Sequence, residues 1–183
     1  FEQSMELAFE HLAELGHRTV GALGRPTGRR RDVVGSSARL AAGVKRFAER
    51  LELDVELHDV DLDAAAAEAA CHRQLDEHPA TTAFVATSTF AATGVLRAAL
   101  TRGLTVPEDL SIVALSTDTA AERFVPSLTA VTFPSRELGH RATSMLIDRL
   151  EGVEVDDHQL LLPARLTTRS STAPVHRPAK GTA

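Results

Sequence analysis

The feature that most constrains this chain is the way two hydrophobic periods alternate along it. Met5, Phe9, Leu12 and Leu15 recur at helical spacing and Gly16 follows as a stop, which predicts a helix over about 3–15. Thr19 to Leu23 then reads as a short buried strand. Ser36 or Ser37 caps a second helix that carries Leu40, Val44, Phe47 and Leu51 on one face. Leu53, Val55 and Leu57 alternate with Asp54, Glu56 and His58, the period of a half-exposed strand. The pattern repeats as a helix from about Asp63 to Glu77, a strand over Thr82 to Ala86, a helix from Thr89 to Arg102 stopped by Gly103, and a strand over Leu110 to Leu115. Leu128 to Phe133 is a further strand. Pro134 starts a helix with Leu138, Ala142, Met145 and Arg149 that runs to Gly152. Connections of this length are too long for hairpins, so the prediction is an α/β fold, a parallel sheet flanked by helices on both faces. Gly24 to Gly35 is a loop, Gln159 to Leu162 and Arg165 to Thr168 are short extended pieces, and a polar, flexible tail follows Ser171.

Bulk properties exclude several classes of function. A net charge of -5 and a pI near 5.9 do not suit a surface that must neutralise many phosphates. The one basic run, Arg29 to Arg31, reads as a solvated loop. With no Trp or Tyr there is no platform on which bases could stack. No apolar run is long enough for a transmembrane helix, and a soluble, cytoplasmic protein is expected. Cys71 has no cysteine partner and sits among alanines as a small buried hydrophobe.

Catalytic and cofactor signatures are missing. Gly24 to Arg31 lacks the Lys and the spacing of a phosphate-binding loop, and no dinucleotide glycine fingerprint follows a strand. His11 and His17, like His72 and His78, are six apart and face different sides of a helix, which argues against zinc. Asp59, Asp61 and Asp63 begin like a calcium loop, but Ala64 and Ala70 stand where Gly and Glu are needed. No nucleophile elbow occurs. The expectation is a non-enzymatic chain without metal or cofactor.

In open parallel sheets ligands bind beyond the C-terminal ends of the strands. Three such ends are rich in small polar residues: the loop from Gly24 to Ser37, the Thr87-Ser88-Thr89 turn, and the Ser116-Thr117-Asp118 turn. Ser36, Ser88, Thr89 and Asp118 are also what helix starts require, and on topology alone capping outranks ligand contact.

Three separated blocks carry a family resemblance. They are EHLAELGHRTVGALG at 10–24, GVLRAALTRGLTVPEDLSIVAL at 94–115, and LTAVTFPSRELGHRA at 128–142 followed by LLLPARLTTRSS at 160–171. In order and content they resemble the effector-binding domain of lactose-repressor-type (LacI/GalR) transcriptional regulators. That resemblance implies a periplasmic-binding-protein-like fold of two lobes hinged around a small-molecule effector, a homodimer, and operator DNA bound only through a helix-turn-helix head outside this chain. Residues 19–118 and 158–171 would form a complete C-terminal lobe. Residues 1–18 and 119–157 would be part of the N-terminal lobe, with 172–183 a flexible tail. The apolar faces of the first helix and of helix 134–150 would then need cover from each other or from a second chain. A sugar-binding protein of a transport system shares the fold and is the alternative.

Residue by residue the family's sugar contacts are mostly replaced. Where it often has Asn-Asp after the third strand of this lobe, this chain has Ser88 and Thr89. Ser116 stands at the fourth strand's Asp, Leu62 at an aromatic, and Phe133 at a Gln. The expected Arg position holds Leu40, with Arg39 one step away, and only Ser36 keeps a family-like polar type. Each lost hydrogen bond to a charged group costs about 1.5–3 kcal/mol, so an ordinary sugar would lose its strongest contacts. The effector-site expectation is therefore Ser36, Arg39, Leu62, Ser88, Thr89, Ser116, Asp118 and Phe133, around a less polar or differently shaped molecule.

Overall fold

A computed structural model describes residues 2–24, 35–60, 62–152 and 160–175, with residues 35–41 described by backbone alone. The chain runs α1 (Glu2–Glu14), β1 (Thr19–Gly24), α2 (Gly35–Leu51), β2 (Asp54–Asp59), α3 (Ala64–Glu77), β3 (Thr81–Ala86), α4 (Thr89–Thr101), β4 (Ser111–Leu115), α5 (Asp118–Glu122), β5 (Thr129–Thr132), α6 (Ser135–Leu150) and β6 (Arg165–Thr167). The six strands form one sheet in the order β2-β1-β3-β4-β5-β6. Strands β1 to β5 pair in parallel and β6 closes the edge antiparallel to β5. The expected loop at 25–34, with Arg29 to Arg31, lies outside the described residues, as do Asp61, 153–159 and 176–183.

Helices cover both faces of the sheet, and the pleat assigns each strand residue to one of them. Phe84, Ala86, Ile112, Ala114 and Ala130 point to a core shared with Ala67, Ala70, Cys71, Val95 and Ala98 of α3 and α4. Their neighbours Ala83, Val85, Val113, Leu115 and Val131 point the other way, onto Met5, Phe9, Leu12, Val44 and Phe47 of α1 and α2. Strands buried on both faces have no polar alternation to show, which is why the middles of β3 (Ala83 to Ala86) and β4 (Ile112 to Leu115) read as continuous apolar runs. The alternation over Leu53 to Leu57 marks β2 as the half-exposed edge. The helix stops at Gly16 and Gly103 are as expected: both have positive φ, at 90° and 68°, and their N–H groups bond back to Ala13 and Leu100 carbonyls.

Two features of the structure bear on the division that the resemblance implies. Residues 2–14 and 129–132 pack as one body with the sheet, as α1 and β5. β5 is its fifth strand, and Met5, Ala8, Phe9 and Leu12 of α1 are fully buried against it. Apolar area on α1 is thus covered from within the chain, because α1 lies across β3, β5 and β6 beside α2. α6, by contrast, stands bare: no residue on it is buried, and Leu138, Leu146, Ile147 and Leu150 are exposed.

The second is the segment from Ser171 to Val175, which spans the end of the expected C-terminal lobe and the start of the expected tail and is fastened to the sheet. Buried Ser171 donates to the Ile112 carbonyl at 2.6 Å and accepts from the Thr129 N–H at 2.8 Å. Ala173 N–H donates to Ser111 Oγ at 3.1 Å, and Val175 N–H to the Leu15 carbonyl at 2.9 Å. These bonds satisfy main-chain groups at the N-terminal ends of the parallel strands, where a buried unpaired group would cost about 1–3 kcal/mol. Further differences are local. Of the two extended pieces around Pro163 only Arg165–Thr167 is a strand, and Asp118–Glu122 forms a helical turn where the sequence suggested only a turn.

Candidate functional site

The C-terminal ends of the strands are aligned by backbone bonds that run from one turn to the next. Val60 N–H donates to the Gly24 carbonyl, Thr87 N–H to Leu23, and Ser116 N–H to Val131, at 2.6, 3.0 and 3.2 Å. In sheet order this places Leu62, the start of α2, Ser88 with Thr89, Ser116 and Phe133 along one edge. α2 and α4 both begin there, so their free N–H groups face the same side as the polar turns.

The sequence-predicted residues have different local roles on that edge. Ser88 is the N-cap of α4 and accepts from Ala91 N–H at 3.1 Å, so its hydroxyl does the capping that topology favoured. Thr89 opens the helix, and its carbonyl accepts from Thr93 Oγ1 at 2.8 Å. Leu62 is 48% exposed and precedes Asp63, whose carboxylate caps α3. That cap explains the last member of the calcium-like Asp triplet. Phe133, the residue after β5, packs against the α1–α2 core. Ser36 and Arg39 lie on the backbone of α2, with side chains outside the described residues.

Ser116 and Asp118 differ most from one another. The Ser116 hydroxyl is shielded from solvent yet has no hydrogen-bond partner among the described residues. It therefore offers a donor and an acceptor to whatever occupies the edge. Asp118 is already engaged: its carboxylate pairs with Arg169 at 2.5 Å, and the cap of α5 is Thr117. Arg169 was not foreseen. Its side chain is 10% exposed, and it joins Asp118, Glu122 and the Leu128 carbonyl, tying α5 to the segment after β6. A single arginine in a polar run, 51 residues from its partner, leaves no local signal.

No charged side chain among the predicted residues faces this edge free of another partner, Arg39 aside, since its side chain is outside the described residues. What remains is hydroxyl, amide and apolar surface. The polar network of the opposite face, by contrast, is internally satisfied. His58 Nε2 meets Gln74 Oε1 at 2.6 Å, and Gln74 Nε2 donates to Thr81 Oγ1 at 3.0 Å. Cys71 lies beneath, its thiol pushed up to about 12 by burial, which keeps it protonated and inert.

Comparison with known proteins gives this geometry a family. The model of the periplasmic binding protein-like domain matches residues 9–172, and the chain belongs to that family. The relatives it matches are LacI-type repressors and regulators of transcription. It is 30% identical over 166 residues to the ribose operon repressor of Halalkalibacterium halodurans, covering 91% of this chain and 49% of that relative. Among solved structures, a LacI family transcriptional regulator from Enterococcus faecium with bound ribose is similar with a TM-score of 0.82 at 25% identity, covering 96% of this chain and 64% of that one. A dimeric Lac repressor with an 11-residue C-terminal deletion gives a TM-score of 0.83 at 28% identity, with 96% and 62% covered. The chain thus spans about half the length of the curated relatives it matches. No helix among the described residues is long and apolar enough to cross a membrane.

Proposed function

We propose that this chain is the small-molecule-sensing and dimerising part of a cytoplasmic, non-enzymatic LacI-type transcriptional regulator, acting on operator DNA through a separate helix-turn-helix head. The observation that carries the reading is the aligned edge of strand ends, inside a family match that runs through nearly the whole chain. An effector on that edge changes how the lobes close, and lobe closure changes how a dimer presents its two heads. The named relatives are regulators of transcription, which supports this reading over a transport protein.

The effector is a compact molecule of modest polarity. Ser116 supplies a shielded and unpartnered hydroxyl at the strand ends, Ser88 and Thr89 line the next turn, and Leu62 and Phe133 provide apolar contact. Bare α6, with Leu138, Leu146, Ile147 and Leu150 exposed, docks on the remainder of the N-terminal lobe.

A second copy covers a different face. Leu96, Leu100 and Leu104 meet Val106, Phe124, Val125 and Pro126 around a groove of about 430 Å³, with Leu100 and Val125 80% and 92% exposed. An apolar patch of this kind, on a chain similar to a dimeric repressor, is the surface expected to pair.

Calorimetry on the complete gene product tests the effector assignment, using ribose, glucose and galactose beside less polar analogues with one or more hydroxyls removed. Deoxygenated analogues should bind and the simple sugars should not. Micromolar binding of an unmodified monosaccharide would overturn the assignment.

A further inference from the structure

Away from the strand ends, Glu56 of edge strand β2 meets the end of α3, where Glu77 is the last helical residue and His78 the C-cap. His78 Nε2 is 2.6 Å from Glu56 Oε2, and one ligand atom of each of the three residues lies within 4.8 Å of the other two. The geometry points to a surface site for a divalent cation of the zinc class, held by Glu56, Glu77 and His78.

Charge is the first reason. Two carboxylates converge on the C-terminal end of a helix, whose own dipole is negative there and disfavours a carboxylate. A single imidazole stands against all three, and Glu77 has no basic partner among the described residues. A bound dication would reverse that imbalance.

Preorganisation is the second. His78 is fixed by its N–H bond to the Gln74 carbonyl at 2.8 Å and by accepting from Thr81 N–H at 2.9 Å. Glu56 is fixed by the pairing of β2 with β1, opposite Gly21. Tetrahedral coordination with bonds near 2.0–2.2 Å needs ligand atoms about 3.4 Å apart, which a small rotation of half-buried Glu56 and exposed Glu77 supplies. One nitrogen and two carboxylate oxygens suit zinc, nickel or cobalt. Calcium and magnesium demand six or more oxygens. Water would complete the shell on the open side. The cluster joins residues from a strand and a helix, so spacing between histidines along the chain gives no sign of it.

The test is calorimetric titration of the chain with zinc chloride in chelator-treated buffer, repeated for Glu77→Gln, His78→Ala and the distant control His140→Ala. One-to-one binding should appear in the parent and in the control. It should weaken at least tenfold in Glu77→Gln and His78→Ala, with circular dichroism showing both folded. A thermal midpoint raised by zinc in the parent, but not in these two variants, is the matching second readout. Absence of binding, or binding equally strong in all four proteins, would overturn the site.

Discussion

Gly94 of α4 lies so close to Ala67 of α3 that a Cβ at Gly94 would fall 2.5 Å from the Ala67 Cβ and 2.7 Å from both the Ala64 carbonyl oxygen and the Glu68 nitrogen. Two of those three obstacles are backbone, so the helices cannot separate locally without disturbing the α3–α4 core. Gly94→Ala should therefore destabilise by about 1–3 kcal/mol through overpacking, although alanine is the better helix former by about 1 kcal/mol. Gly139 of α6 has nothing within 4 Å of its Cβ position. There the same substitution should stabilise by up to about 1 kcal/mol. Urea unfolding of both variants checks the pair, and equal signs would contradict the contact.

His17 joins the strand floor to the fastened end of the chain. Its Nε2 is 3.2 Å from the Ala173 carbonyl, so that nitrogen carries the proton, and Nδ1 accepts from Thr82 Oγ1 at 2.8 Å. Burial lowers its pKa from 6.5 to about 4. The folded form thus resists a proton that the unfolded chain accepts, so stability falls as pH drops from 6.5 to 4 and no further on this account. The loss should reach about 3 kcal/mol across that window, and His11, also lowered by burial, adds in the same direction. His17→Asn should start less stable but lose correspondingly less between pH 7 and 4, as read from thermal midpoints.

The groove between α4 and the Phe124-Val125-Pro126 turn makes association separable from folding. Val125 is 92% exposed, so Val125→Glu removes no core packing. The expected outcome is a monomer by sedimentation, with an unchanged circular dichroism spectrum. A dimer that persists in this variant would place the pairing surface elsewhere.

Much of the architecture was legible because strand and helix periods differ and because glycine stops are chemically explicit. Gly16 and Gly103 ended their helices as expected, and the alternation over Leu53 to Leu57 marked an edge strand. Asp118–Glu122 escaped notice because five residues are too few to show a period. At the site, Ser88 was legible as a cap, since capping depends on neighbours three residues away. The pairing of Asp118 with Arg169 depends on residues 51 apart, and no local pattern encodes it.

The chain's own order of residues determined that helices and strands alternate, that β1 to β5 run parallel, and that the net charge is negative, a poor match to nucleic acid. These follow from nearest-neighbour periodicity and from composition. Tertiary structure decided the rest: that β5 joins the same sheet as β1 to β4 and α1 packs on its face, that residues 171–175 are fastened rather than loose, and that Ser116 keeps an unspent hydroxyl at the strand ends. Each is a contact between segments far apart in the chain, and which segments meet is settled by packing and hydrogen-bond satisfaction across the whole core.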